Sequence, residues 1–274
     1  MVAVNLTLQQ GRSLMTFQPF DLTGRVVLIT GGNGGIGLGM AKGLAQAGAE
    51  VCIWGTNPEK NAAALAQLSA IGPKATAQVC NVADENAVNQ AFAQTLSDHG
   101  RVDGCFANAG VGGRGTGFDD MTLEEWEHVI GVNQTGVFFT FRAAAKHMRE
   151  RAQAGDAFGR LVGTASLAAI SGQARGEHYA AAKGGLISMI KALAVEYARY
   201  NVTAHTLLPG WIETDMTQGT FDNPKFVANV SKRIPARRWG VPDDFAAIAI
   251  YIMSTASSYH SAETFLIDGG YDAF

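Results

Sequence analysis

The sequence predicts a single α/β domain, built as a doubly wound parallel sheet of seven strands with helices on both faces. Three observations predict it. Short β-branched runs alternate with longer helical patterns from Val26 onward. A glycine-rich turn directly follows the first of these runs, and neither a proline-rich linker nor a change in composition divides the chain. With 274 residues, of which 47% are hydrophobic, the chain is long and apolar enough to bury a sizeable core.

Strands are expected where apolar, β-branched runs are bounded by turn residues. These runs are 26–30, 51–54, 75–80, 104–107, 161–164, 203–208 and 265–267. Two of the helices between them carry start signals. Asn57 before Pro58 is typical of an N-cap, and Thr122 with Glu125 three residues later matches a capping box. Strands that alternate with helices in this way predict parallel pairing.

One long domain behind a short tail is the predicted organisation. Residues 25–274 are interpreted as the domain and residues 1–24 as an N-terminal tail. Only 211–238 departs from the alternation, between the sixth strand and a helix that begins near Pro242. Insertions at such places commonly act as lids, so this segment is predicted to be one.

Charge and hydropathy exclude several partners. The net charge of -3 at pH 7 provides no basic field for a phosphate backbone, so nucleic acid is not expected as a partner. The longest apolar run, 245–253, has about half of the roughly 20 residues that span a membrane, so no membrane association is expected. The first residues match neither a secretory signal nor a transit peptide, and the expected location is the cytoplasm. Cys52, Cys80 and Cys105 form no CxxC pair and are expected to be buried thiols.

The glycine-rich turn after the first strand is a candidate phosphate-binding loop. It comprises Gly31, Gly32, Asn33, Gly34, Gly35, Ile36 and Gly37. Glycines permit a tight reversal and let backbone N–H groups approach a pyrophosphate at the N-terminus of the next helix. The motif can be read as GxGxxG or as TGxxxGIG, and the residues alone do not choose. No Gly-Lys-Ser/Thr follows, which excludes a Walker loop and leaves a Rossmann-like dinucleotide site.

Dinucleotide sites place an acid about 20 residues after this loop, where it binds the ribose hydroxyls. Glu50 has roughly this spacing but precedes the second strand, at the end away from the ligand. Gly55 and Thr56 stand at the useful end, with neither an acid nor an arginine. Lys60 is the nearest cation and is interpreted as a solvated helix residue.

Tyr179 and Lys183 are the candidate catalytic pair. They lie four residues apart at the start of a helical pattern that runs to about Tyr200, so they share one face. Ser166 follows the strand 161–164, and the turn 108–110 follows the strand 104–107. Because the carboxyl ends of parallel strands form one ligand-binding edge, a dinucleotide, a hydroxyl group and a phenol are expected there together. This arrangement favours hydride transfer.

Other polar and charged residues lie near this pair or beside the expected cleft. His178 and Glu177 would suit a hydrolase, but the chain has no GxSxG nucleophile elbow, and both are interpreted as residues of the helix start or the substrate mouth. Arg114 and Arg175 flank the expected cleft and are interpreted as solvated surface charges.

Taken together, these motifs resemble the classical short-chain dehydrogenases/reductases from Thr30 to Gly270. Ser166 precedes Tyr179 by 13 residues, and Tyr179 to Lys183 is similar to the family's YxxxK. The resemblance implies catalytic roles for Asn133, Ser166, Tyr179 and Lys183. It also implies cofactor contacts from Gly31, Asn33, Gly35, Ile36, Gly37, Gly55, Thr56, Asn81, Val82, Asn108, Ala109, Gly110, Tyr179, Lys183, Pro209, Gly210, Ile212 and Thr214. No metal is implied.

The roles follow from the same resemblance. Tyr179 would act as the base towards an alcohol or the acid towards a ketone. A free phenol has a pKa of about 10, and lowering it to 7 requires roughly 4 kcal/mol of differential stabilisation of the phenolate. Lys183 would supply positive charge and bind the nicotinamide ribose, Ser166 would hold the substrate oxygen, and Asn133 would position a relay water.

Three departures from the family pattern bear on the cofactor. Asn81 stands where the usual residue is Asp, Gly34 where NADP-preferring members are often basic, and Gly55 where NAD-preferring members carry an acid. NAD and NADP both remain candidates. Because two cations for a 2′-phosphate are missing, the sequence leans to NAD.

The leading hypothesis is an oxidoreductase that transfers a hydride between a nicotinamide dinucleotide and a secondary alcohol or ketone, with a sugar, polyol or hydroxy acid as the candidate small-molecule substrate. The alternative is a non-catalytic regulatory module that binds nicotinamide. Lyase or epimerase chemistry with a transiently used NAD is a third reading. The resemblance also implies a homotetramer, in which the helical faces 122–148 and 179–200 pair between subunits.

Overall fold

The computed structural model describes residues 18–113 and 115–273. Residues 1–17, which make up most of the predicted tail, lie outside the described residues, as do Arg114 and Phe274. The described chain forms one seven-stranded sheet in the order β3-β2-β1-β4-β5-β6-β7, and every neighbouring pair is parallel. The predicted doubly wound α/β class is confirmed.

The strands occupy the predicted runs and differ from them by one or two residues. They are β1 Val26–Thr30, β2 Glu50–Gly55, β3 Ala75–Val79, β4 Gly104–Ala107, β5 Gly159–Thr164, β6 Val202–Pro209 and β7 Thr264–Ile267. Cys80 lies just beyond β3, although its backbone N–H still donates to the carbonyl of Gly55. Glu50 opens β2 at its amino end, where its carboxylate pairs with His99, 2.7 Å away.

Helices connect the strands and cover both faces. They are α1 Gly35–Gln46, α2 Pro58–Ser69, α3 Glu85–His99, α4 Leu123–Ile130, α5 Gly136–Gln153, α6 Glu177–Tyr197, α7 Gln218–Phe221, α8 Pro224–Arg233 and α9 Ala246–Met253. The predicted caps are present. Asn57 accepts from the N–H of Lys60, and Thr122 with Glu125 forms the capping box.

Two apolar clusters, one on each face, form the core. Buried residues of α1, α2 and α9 pack on one face with Ile29 and Ile53. Buried residues of α3, α5 and α6 pack on the other with Leu28 and Cys105. The alternation of buried side chains along the central strands explains why these strands are apolar at nearly every position.

The strand order reverses between β1 and β4, and this position defines the ligand-binding crevice in open α/β sheets. Because all seven strands are parallel, the turns that follow them lie along one carboxyl edge. The structure thus places the glycine loop after β1 and the turn after β4 side by side. Within the described ranges, no helix is both long and apolar enough to span a membrane.

Candidate active site

The glycine loop between β1 and α1 makes a close turn that side chains would block. Gly31 and Gly35 have left-handed backbone angles, with φ of +63° and +48°. A Cβ at Gly37 would collide with the carbonyl oxygen of Gly31. The helix α1 begins at Gly35 with no capping side chain and no acid in its first turn. Its first N–H groups and dipole therefore face a place that suits a pyrophosphate, so the residues present fit a dinucleotide.

The turn after β4 is tied to the glycine loop by Thr30. The Thr30 hydroxyl accepts hydrogen bonds from the backbone N–H groups of Asn108 and Ala109, both at 3.0 Å. The Asn108 amide donates to the carbonyls of Thr30 and Gly31, at 3.2 and 3.3 Å. These bonds join the two turns into one rigid wall of the crevice.

At the far end of the loop, Asn33 and Asn61 pack beside Gly55. Asn61 is buried, and its amide nitrogen donates to the carbonyls of Gly55 and Gln78, each at 3.0 Å. Its oxygen accepts from the Asn33 amide at 2.7 Å. A Cβ at Gly55 would collide with Asn33. The space that an acid at position 55 would need is therefore filled by the Asn33 side chain.

Tyr179 and Lys183 lie on the first turns of α6, with the Lys183 nitrogen 5.6 Å from the centre of the Tyr179 ring. Lys183 is buried and donates to the carbonyl of Thr164 at 2.8 Å. Burial lowers the pKa of Lys183 to about 8. Burial also raises the pKa of Tyr179, and a hydrogen bond with the Ser166 hydroxyl opposes this rise. The predicted phenol, hydroxyl and amine are thus brought together at the carboxyl edge.

Asn133 lies in a π-helical segment, Gly131–Thr135, between α4 and α5. Its side chain makes two hydrogen bonds with the backbone of Val111, donating to the carbonyl at 2.8 Å and accepting from the N–H at 3.0 Å. A Cβ at Gly110 would lie 2.8 Å from the Asn133 oxygen and 3.4 Å from the Lys183 nitrogen. The Asn133 side chain therefore holds the loop after β4.

The turn after β6 closes over the glycine loop. Pro209 ends β6, the N–H of Gly210 donates to the carbonyl of Ile267, and Ile212 forms a bridge with Gly240. A Cβ at Gly35 would lie 3.1 Å from the Thr214 methyl carbon. Thr214 therefore reaches the loop from the opposite side of the crevice.

The segment 211–238 contains two short helices, α7 and α8, and an aromatic cluster. Trp211 packs against Phe226, Trp239 and Tyr271, with ring centres 5.1, 5.4 and 6.4 Å apart. The Arg233 guanidinium lies over the Tyr271 ring. This segment is therefore anchored to the C-terminal residues of the chain.

The remaining predicted residues take secondary positions. Asn81 accepts from the N–H of Ala83 at 3.1 Å, and Val82 packs against Gly136. Thr56 is exposed at the end of β2. Ile36 lies in the first turn of α1.

His178 and Glu177 precede the tyrosine and carry buried polar atoms, Nδ1 and Oε2, that have no hydrogen-bond partner within residues 18–113 and 115–273. A Cβ at Gly113 would collide with the His178 ring. Both residues belong to the first turn of α6, and the His178 ring lies against the loop after β4, whereas Glu177 accepts from the N–H of Arg175. In the described part of the chain, no group of three or more His, Cys, Asp and Glu side chains could hold a metal ion.

Two features of the site lay outside the sequence interpretation. Asn61 orients Asn33, and Lys60 pairs with Asp215 across the crevice, 2.5 Å apart. Both contacts join residues that are far apart in the chain, so no local sequence pattern predicts them. The Asn57 cap is the only nearby signal, because it places Lys60 and Asn61 on the first turns of α2.

A doubly wound sheet with a dinucleotide loop and a tyrosine–lysine pair at its carboxyl edge defines a nicotinamide-dependent oxidoreductase. Comparison with known proteins agrees. The family described as enoyl-(acyl carrier protein) reductase matches residues 31–272. A 3-oxoacyl-acyl-carrier-protein reductase from Chlamydia pneumoniae is 36% identical over 91% of this chain and 97% of its own. A 5-keto-D-gluconate 5-reductase from Escherichia coli is 33% identical over 92% and 96%.

Among solved structures, a gluconate 5-dehydrogenase from Burkholderia cenocepacia, in complex with NADP and tartrate, superposes with a TM-score of 0.87. It is 33% identical, over 94% of this chain and 98% of that one. The chain belongs to the classical short-chain dehydrogenase/reductase family. It is an NAD(P)-dependent enzyme that transfers a hydride between a dinucleotide and an alcohol or ketone. The sequence-based lean to NAD is not supported, because the dinucleotide named in the structures of several relatives is NADP.

Proposed function

We propose that this enzyme is an NADP-dependent reductase of small polyhydroxylated ketones, of the keto sugar acid type, with Tyr179 as its proton donor. The observation that carries the proposal is the position of Tyr179, which shares a hydrogen bond with Ser166 and lies beside the buried Lys183. The non-catalytic alternative leaves this arrangement without a purpose.

In the reduction direction, the Tyr179 hydroxyl donates its proton to the substrate oxygen, and the Ser166 hydroxyl holds that oxygen in place. The dinucleotide supplies the hydride when bound. Because burial raises the pKa of Tyr179, the phenol is protonated at neutral pH and ready to act as an acid. The Lys183 ammonium then stabilises the phenolate that remains.

The Lys183 ammonium has N–H donors available to bind the cofactor and a water. Among the residues that the structure describes, its one hydrogen bond runs to the carbonyl of Thr164, and an ammonium has three N–H donors. The other two are available for the hydroxyls of a nicotinamide ribose and for a water that restores the phenol proton. The backbone carbonyl of Asn133, in its π-helical segment, is the proposed holder of that water.

NADP is proposed over NAD from the ribose end of the crevice. An acid that binds ribose hydroxyls would also repel a 2′-phosphate, and the place for such an acid at Gly55 is filled by Asn33. The solved relatives that name NADP support the same choice. We propose that the dinucleotide contacts the glycine loop, the turn 108–110 and the segment 209–214.

The substrate class is proposed from buried polar atoms that have no hydrogen-bond partner among the described residues. Glu177 Oε2 and His178 Nδ1 precede Tyr179, and Trp211 Nε1 lies in the predicted lid. Buried polar groups are nearly always hydrogen-bonded, so hydroxyl groups of a bound substrate would complete these atoms. The relatives named for gluconate and 5-keto-D-gluconate support a sugar acid, and the segment 211–238 would close over it.

The assembly proposed is the homotetramer, formed through the outer faces of α5 and α6. Phe138 on α5 is 44% exposed and Val195 on α6 is 79% exposed, and burial of such apolar surface favours association. The cytoplasm is the proposed compartment, since three buried, unpaired cysteines suit a reducing environment.

The test is a turnover panel that follows oxidation of NADPH and NADH. It includes 5-keto-D-gluconate, a ketone of similar length without hydroxyl groups, and a 3-oxoacyl thioester. The proposal expects the keto sugar acid with NADPH to give the highest kcat/KM. Preference for the thioester would overturn the substrate class. No oxidation of either dinucleotide with any ketone would overturn the assignment of the tyrosine.

A further inference from the structure

Lys60 and Asp215 form an ion pair that crosses the crevice. Lys60 lies in the first turn of α2, whereas Asp215 lies within the segment between β6 and α7. Their charged atoms are 2.5 Å apart, and the side chains are 55% and 87% exposed. No other hydrogen bond or ion pair joins α2 to this segment among the described residues.

The pair lies at the ribose end of the dinucleotide site. On one side, Lys60 precedes Asn61, which contacts both Asn33 in the glycine loop and the carbonyl of Gly55 at the end of β2. On the other side, Asp215 follows Thr214, whose methyl carbon approaches Gly35. The Lys60 ammonium is therefore held between the rim of the ribose pocket and the loop that faces the pyrophosphate.

Lys60 is the single cation in the segments that border this pocket. The stretches 30–37, 54–61 and 78–85, which follow β1, β2 and β3, contain no other lysine, arginine or histidine. Arginine, common where a phosphate is recognised, is missing from all three. A 2′-phosphate placed here has one positively charged side chain within the bordering segments, and that side chain is already paired with a carboxylate.

We propose that Lys60 recognises the 2′-phosphate of NADP and that Asp215 competes with the phosphate for it, so that the pair sets the preference between NADP and NAD. This inference rests on the proposed function, because it concerns the cofactor of the same site. With NADP, the ammonium turns from Asp215 to the phosphate. With NAD, the ion pair persists and spans the mouth of the crevice.

The exchange is physically reasonable because the ion pair is exposed. Exposed ion pairs contribute little to stability, so Lys60 can leave Asp215 without harm to the fold. A phosphate carries more charge than a carboxylate and offers three acceptor oxygens, which makes it the stronger partner for an ammonium. Asp215 remains beside the phosphate and repels it. The competition predicts that removing Asp215 favours NADP, whereas removing Lys60 disfavours it.

The experiment measures dissociation constants for 2′,5′-ADP and 5′-AMP, two fragments that differ by the phosphate alone. Lys60→Met is expected to weaken binding of 2′,5′-ADP about tenfold, the effect of a charge-assisted hydrogen bond, and to leave 5′-AMP unchanged. Asp215→Asn is expected to tighten 2′,5′-ADP about threefold and leave 5′-AMP unchanged. In the double variant, the gain from Asp215→Asn should shrink, because no lysine remains to be released. The effect of Lys60→Met should also decrease with added salt.

Lys146→Met and Asp222→Asn are the matched controls, since both replace exposed charges of the same type. Equal loss of both fragments in Lys60→Met, or no loss of either, would overturn the role of Lys60. No change in 2′,5′-ADP binding by Asp215→Asn would overturn the competition. NADPH turnover by the wild-type enzyme is measured alongside. If turnover is absent while Lys60→Met still weakens 2′,5′-ADP, the proposed function fails and this inference stands.

Discussion

The amino and carboxyl edges of the sheet each bury a charged side chain, and they surround it differently. At the amino edge, Asp103 is fully buried and accepts hydrogen bonds from Arg101, from Arg151 and from the N–H of Val26. At the carboxyl edge, Lys183 is buried, and in the described part of the chain it has no carboxylate partner and donates to one carbonyl. One charge is satisfied by the protein, and the other keeps unused donors.

This difference separates a charge that holds the fold from one that is available for chemistry. The Asp103 carboxylate pairs with the guanidinium groups of Arg101 and Arg151, so its charge is balanced within the protein. An amine whose pKa burial lowers to about 8 can change its protonation state near neutral pH. Burial also lowers the pKa of Arg160, to about 10, but its guanidinium donates to the carbonyls of Gly159 and Ile252 and is thus satisfied by the protein. It lies at the amino edge, where no turn of the crevice reaches it.

Removal of the buried carboxylate at the amino edge is expected to have the largest effect on stability. Asp103→Ala should lower the free energy of unfolding by about 3 kcal/mol, because it removes the buried carboxylate that Arg101 and Arg151 share and leaves the backbone N–H of Val26 without its acceptor. Denaturant unfolding measures the loss. Turnover per folded molecule should stay near the wild-type value, since the site lies at the other edge.

Asp156→Ala is the matched control, because Asp156 pairs with the same two arginines but its side chain is 51% exposed. It should lower the free energy of unfolding by under about 1 kcal/mol. Equal losses from the two variants would show that the burial of Asp103 carries no special weight.

Removal of the buried ammonium at the carboxyl edge is expected to affect turnover rather than stability. Lys183→Met should lower kcat about 100-fold, the lower range for assistance to proton transfer, with little change in unfolding. In the wild-type enzyme, kcat/KM for reduction should fall as the pH rises through about 8, because the ammonium is present below that pKa and lost above it. Steady-state rates across the pH range check both expectations.

Lys191→Met replaces an exposed lysine on the same helix and should leave kcat and its pH profile unchanged. Wild-type turnover by Lys183→Met would place Lys183 with Arg160, as a buried cation that serves the fold alone.

The amount that the sequence predicts also differs between regions. The strands were predictable because a parallel sheet covered on both faces demands continuous apolar runs, which the chain shows at 26–30 and 161–164. The two caps were predictable because their bonds join residues three apart. The four-residue helix α7 was not predictable, because no side chain caps it. The helix α8 does carry the start signal of α2, since Asn223 precedes Pro224 and accepts from the N–H of Phe226, and the sequence interpretation missed it.

The site was predictable as a set of turns along one edge, because parallel strands bring their carboxyl ends together. The use of each side chain was not. Sequence reasoning could not show that Asn133 is engaged with Val111, that Asn33 fills the space beside Gly55, or that Lys60 is an ion-pair partner of Asp215. Each of these depends on a contact between distant segments.

The ionisation of Tyr179 tests its role as proton donor most directly. Ultraviolet difference titration of the wild-type enzyme against Tyr179→Phe measures this ionisation. Subtraction isolates one phenol among six tyrosines. Without dinucleotide, the pKa of the phenol should lie above the ordinary value for tyrosine, because burial raises it. With NADP⁺ bound, the added positive charge beside Lys183 should lower that pKa measurably. A phenol that titrates at the same pH with and without NADP⁺ would contradict its assignment as the proton donor.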